Sequence, residues 1–175
     1  GPRNDLAWAA LAPIHVDHPE WRLGSNIKDW NQRPLNWTVP EVREFKLRMI
    51  EELCRQYPLA GFELDFMRWP LFFRTEETTR EQRVAIMTGF IGQVRRILDR
   101  TSPDGQRRWL CVRVPAFLAA YDAMGIDLPL WIQAGVDMVN LSHFYFTAQN
   151  GNLAAIRRQV PEASVYVEMG HTTRV

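Results

Sequence analysis

Several things are scarce in this 175-residue sequence, and each absence removes a class of function. Only two cysteines occur, Cys54 and Cys111, too few for a disulfide framework and in no metal-binding spacing. No apolar stretch approaches the roughly 20 residues of a membrane span, and no signal peptide is visible. The formal net charge is only +1, so no electrostatic footprint for nucleic acid is expected. Arg107-Arg108 and Arg157-Arg158, the densest basic spots, read as solvated faces. No glycine-rich phosphate turn follows any candidate strand, so no nucleotide cofactor is implied. Internal repeats and low-complexity tracts are also missing.

What is present points to a packed enzyme-like domain. Hydrophobic residues make up 46% of the chain, enough for a sizeable core. Seven tryptophans occur, and Trp21, Trp30, Trp37 and Trp69 fall in apparent loops. Flat aromatic faces suit the apolar face of a sugar ring; they also pin long loops to a core.

Residues 1–40 read as a long loop region, with room for a short strand or turn at 6–11, and loops of that length are usually functional. Residues 41–175 read as βα units. A helix is expected over 40–57, opened by Thr38 as cap and Pro40 in the first turn. A strand follows at 61–67, then a helix from Thr79, which with Gln82 has the form of a capping box. Its apolar stripe is Val84, Met87, Ile91, Val94 and Leu98. Strands at 109–114, 136–141 and 164–168 alternate with short helices near 116–124, 128–134 and 152–159. Asp127 caps the second of these and Gly135 ends it. Both cysteines are expected to be buried.

Alternating helices and strands with short turns imply parallel strands joined by right-handed crossovers. A doubly wound sheet and a barrel both satisfy this order. Polar residues at the strand C-terminal ends favour a partial (β/α)8 TIM barrel, an α/β fold. A complete barrel needs about 250 residues, so the expectation is a fragment of one barrel domain holding about half of it, its beginning missing. The localisation is open, with a secreted or periplasmic protein in view.

The chemistry is expected at Glu63 and Asp65. Two residues apart on a strand, they share a face, with Cβ atoms roughly 6.6 Å apart. Phe62, Leu64 and Phe66 share the opposite face, and Met67 falls with the acids. Glycoside hydrolysis needs two carboxyl groups, one protonated and one ionised. Asp65, with Arg68 after it, suits the ionised role, and Glu168 or Glu63 the acid. The same acids with Arg68 and Arg113 would also make a plain salt-bridge network. Arg113 either receives the carboxylate or sulfate of an acidic sugar or pairs internally. His143 and Tyr145 stand where a sugar hydroxyl is bound, or where a histidine is simply satisfied. Asn4 and Asp5 follow an expected strand end, and His171 lies near the last strand. The group His15, Asp17, His18 and Glu20 has no spacing that converges on a metal, so none is expected.

The run Gly61-Phe62-Glu63-Leu64-Asp65-Phe66-Met67-Arg68-Trp69-Pro70, with Phe72-Phe73, resembles the Gly-Ile-Glu-Leu-Asp-Phe-Met-Arg strand of bacterial glycoside-hydrolase-like barrel proteins. Arg3-Asn4-Asp5, His18-Pro19-Glu20-Trp21, Pro40-Glu41-Val42-Arg43-Glu44 and Gly125-Ile126-Asp127 through Gly135-Val136-Asp137 look similar too, so the resemblance covers most of the chain. It implies a TIM barrel, a carbohydrate substrate and a role in polysaccharide degradation. Members usually carry Asp before the Gly-Ile-Glu; Ala60 stands there in this chain. Besides hydrolysis, a non-catalytic carbohydrate-binding barrel with Trp69, Arg113 and His143 on a glycan fits these residues, as does a polysaccharide lyase using Arg113 and His143. The oligomeric state is not legible.

Overall fold

The computed structural model describes residues 12–67, 69–103, 105–143 and 151–168. Its elements run α1 (Ile14–Asp17), α2 (Pro40–Gln56), β1 (Gly61–Asp65), α3 (Arg80–Arg100), β2 (Trp109–Pro115), α4 (Tyr121–Met124), α5 (Leu128–Gln133), β3 (Met138–Ser142), α6 (Leu153–Gln159) and β4 (Ser164–Val167). Short 3-10 turns sit at Pro19–Trp21 and Leu118–Ala120. The four strands form one parallel sheet in the order β1-β2-β3-β4. Order in the sheet therefore follows order in the chain, with no reversal of winding.

One face of that sheet makes the core. Leu64, Leu110, Val112, Val114, Val139 and Leu141 pack with Ile50 and Cys54 of α2. The same cluster takes in Met87, Ile91, Val94 and Leu98 of α3, Trp131 of α5 and Ile156 of α6. The helix before β1 and one from each of the three crossovers thus bury their apolar stripes against the sheet, which is the hydrophobic term holding the domain together. The opposite face carries Glu63 and Asp65 of β1, Cys111 and Arg113 of β2, Asn140 of β3 and Tyr166 of β4. Alternation along each strand enforces this division.

Local signals set the element ends. Thr79 accepts from the Gln82 amide, and the Gln82 side chain accepts from the Thr79 amide, so the capping box is complete. Asp127 Oδ1 accepts from the Leu130 amide and caps α5. Gly125 ends α4 at φ 69°, where a Cβ would lie 2.6 Å from the Arg83 carbonyl oxygen; a side chain there meets both backbone strain and a clash.

Four expectations need correction. Thr38 does not cap α2: its hydroxyl donates to Asn36 Oδ1, and Val39 takes the cap position. The first strand stops at Asp65, not Met67. Asp65 Oδ1 accepts from the Met67 amide at 2.8 Å, the chain turns, and Met67 is fully buried instead of continuing the acidic face. Arg108 is not solvated. It is buried, donating to the Cys54 carbonyl (3.0 Å) and Thr101 Oγ1 (3.1 Å). Cys111 is only half-buried, unlike Cys54, and its thiol donates to Glu63.

The N-terminal end of the sheet is braced by charge. Asp137 accepts from the Leu110 amide (2.8 Å) and pairs with Arg107 (2.7 Å) and the buried Arg95 (3.5 Å). Arg95 also pairs with Asp99 and donates to the Arg108 carbonyl. These contacts tie α3 to the starts of β2 and β3, while the polar face is left to the other end.

Candidate active site

Register decides which polar residues meet. Asp65 on β1 is opposite Arg113 on β2, and Arg113 is opposite Asn140 on β3. Arg113 Nη1 donates to both oxygens of Asp65, at 2.9 Å each. Its Nε and Nη2 donate to Glu168 Oε2 at 3.0 and 2.6 Å, and Nη2 also reaches Ser142 Oγ at 3.1 Å. Glu168 follows β4 and is fixed by its amide, which donates to the Leu141 carbonyl. One guanidinium therefore stands between carboxylates from the first and the fourth strand. The planar fork of arginine suits this double task.

The electrostatics follow from these contacts. Burial works against the charge on Arg113, but its bonds to Glu168 and Asp65 outweigh that and hold it protonated. Hydrogen bonds from Ser142 and Arg113 hold the Glu168 carboxyl below the usual glutamate range. Glu168 is thus ionised at neutral pH, which opposes the expected proton-donor role for it in this state. Of the two alternatives for Arg113, the internal ion pair is the one formed.

Glu63 lies one step earlier on β1. Its Oε2 accepts from the Cys111 thiol at 3.2 Å and faces the Asn140 amide at 3.4 Å. Burial, with the Glu63 carboxylate beside it, pushes the Cys111 thiol up to about 12. Cys111 is therefore an inert thiol at neutral pH, not a nucleophile.

Beside Asp65 opens a cleft of about 700 Å³, lined among others by Trp30, Trp37, Trp69, Arg33, Lys46 and His15. It joins the sheet end to the long N-terminal segment. Arg74 holds the two together, donating to the carbonyls of Leu23 (2.7 Å) and Arg22 (3.0 Å), and the Trp37 amide donates to the Phe72 carbonyl. Trp37 packs edge-on against Phe72 and Phe90, so it pins the loop as well as lining the cleft. Trp30 and Trp69 meet at 5.4 Å between ring centroids. Arg33 stacks on Trp30 with its guanidinium carbon 3.6 Å from the ring centroid. Trp21 is stacked on His18 instead, at 3.6 Å.

Burial holds His15 below the usual histidine range, helped by the charges of Lys46, Arg33 and Arg22, while the Arg33 backbone opposes the shift. Burial also lowers Lys46. The cation pair is not legible in the sequence, since residues 33 and 46 share no motif, and His15 enters there only with Asp17, His18 and Glu20 as a candidate metal group.

The remaining expected residues divide as follows. His143 sits just past β3, with its Nε2 where a Cβ on Gly151 would be (2.6 Å), and does not line the cleft. Asn4, Asp5, Arg68, Tyr145 and His171 lie outside the described residues, as does the strand or turn expected at 6–11. Among the described residues, no three His, Cys, Asp or Glu side chains group as a metal site, and His18 is bonded to Glu20 at 3.0 Å. No helix among them is long and apolar enough to cross a membrane.

No protein-family model matches this chain, and no curated protein matches it either.

Proposed function

We propose that the chain forms part of the wall of a (β/α)8 barrel of glycoside-hydrolase-like type, and that its polar face cleaves a glycosidic bond in a poly- or oligosaccharide. The supporting observation is the position of Asp65. It belongs at once to the Arg113 ion pair and to the aromatic cleft. Unidirectional winding with helices on one sheet face is the arrangement a barrel wall requires, and barrel enzymes place their chemistry at strand C-terminal ends.

In this reading Asp65 is the ionised carboxylate, acting on the anomeric carbon or on a water. Glu168 shares Arg113 with it and fixes that cation in place. The acid role then falls to Glu63, which must take up a proton before it can act, since it accepts from the Cys111 thiol as a carboxylate. The Cβ atoms of Glu63 and Asp65 stand roughly 6.6 Å apart along β1, which sets the two carboxyls on one face of the strand.

A second reading, a carbohydrate-binding barrel without catalysis, is favoured by one observation. The Arg113 guanidinium occupies the space between Asp65 and Glu168, where a sugar would otherwise sit between two catalytic acids. The lyase reading loses Arg113, whose guanidinium is engaged by both carboxylates.

Asp65→Asn separates these readings. Sugar release from an oligosaccharide panel is expected to fall about 10²-fold or more, with the circular dichroism spectrum unchanged. Unchanged turnover removes the hydrolytic role of Asp65. Calorimetric binding without product from the unaltered protein establishes the binding reading, and an unsaturated product absorbing in the ultraviolet establishes a lyase.

A further inference from the structure

The cleft beside Asp65 has a charge pattern that a neutral sugar does not need. Arg33 and Lys46 both line it, and neither forms an ion pair among the described residues. Arg33 is buried and Lys46 half-buried. Taking cations out of water without a counter-charge is costly, which is tolerated where a ligand supplies the charge. The one carboxylate of the lining among the described residues, Asp65, is already neutralised by Arg113. Beyond these, the lining is His15, whose pKa burial and the two cations hold low, and aromatic or apolar groups, chiefly Trp30, Trp37, Trp69 and Phe72. A cleft of about 700 Å³ is within the range of small-molecule sites.

Resting on the carbohydrate reading above, we propose that this cleft is a subsite for a negatively charged sugar ring. Arg33 and Lys46 hold the carboxylate or sulfate, and the ring lies against Trp69 beside Asp65. Arg33 is pre-set for this task. Its stacking on Trp30 fixes the plane of the guanidinium, so little freedom is lost when it pairs with a planar carboxylate. The anion site is thus supplied by the N-terminal segment and α2, not by Arg113 on the sheet. The sheet end carries the reacting groups, and the flanking segment selects the sugar.

The test is calorimetry on the full chain with four probes: trigalacturonate, its fully methyl-esterified form, a sulfated galactan tetrasaccharide and its desulfated form. Charge-assisted bonds of this kind lead us to expect the better anionic probe to bind about tenfold or more tightly than its neutral counterpart. Which pair shows the preference identifies carboxylate or sulfate. Lys46→Gln and Arg33→Gln are each expected to bring that ratio towards one. Since Arg33 also packs on Trp30, Lys46→Gln gives the reading that does not depend on the loop. Equal affinity for charged and neutral probes overturns the proposal, as does a ratio indifferent to Lys46→Gln. If neutral oligosaccharides are nevertheless cleaved in an Asp65-dependent way, the hydrolytic reading survives that failure. Absence of binding to all four probes and of any sugar release defeats both.

Discussion

Arg113 is the residue on which the electrostatics of the polar face turn. Removing its charge in Arg113→Gln leaves Asp65 and Glu168 without their shared cation. The Glu168 pKa is expected to rise, measured by following its side-chain carboxyl signal in an NMR titration. The sign for stability follows from linkage. A glutamate held low in the folded state contributes stability that is fully present above its unfolded value, 4.5, and is lost as pH falls through the folded value. Arg113→Gln therefore flattens the acid limb of the stability–pH curve below about that pH, read by denaturant midpoints. Both carboxylates are more than a third exposed, so the effect is screened and modest. The sequence made Asp65, Glu63, Arg113 and Glu168 visible as candidates, because acids and an arginine embedded in apolar strands are anomalous. It did not say which would pair. That depends on register between strands 48 residues apart, which no local pattern encodes. The Arg33–Lys46 pair was illegible because a loop residue and a helix residue reach one cleft through tertiary packing that no local pattern encodes. Arg108 was misread because a run of two arginines looks solvated until one of them finds buried carbonyls.

At the scale of elements, local chemistry was the most readable part. The stripe of α3 is buried at all five positions named from its period. Its capping box formed because both partners, Thr79 and Gln82, have no competing local bond. Thr38 lost its cap role because the helix starts at Pro40, which puts Val39 at the cap position. Thr79→Ala is expected to cost about 0.5–2 kcal/mol in chemical denaturation, with no change in any ligand binding at the cleft, since Thr79 does not line it. A cost near zero would mean that Gln82 and solvent replace the lost bond.

For the whole molecule, the feature with the widest reach is the one-way winding of the sheet. Helices cover one side of β1, β2 and β3, and Glu63, Asp65, Arg113 and Asn140 stand on the other. Stability and chemistry are therefore written on the same strands in opposite phase. A saturation scan read along β1 and β2 should show two interleaved combs of period two. Changes at Leu64, Leu110, Val112 and Val114 should lower the yield of folded protein. Changes at Glu63, Asp65 and Arg113 should leave yield near normal and alter only the proposed sugar release and binding. A single comb, with both properties falling together, would mean that the polar row is scaffold. Kept apart, the two rows let the outward-facing letters vary freely without disturbing the frame, so one scaffold can be retuned from one ligand to another by edits at alternate positions.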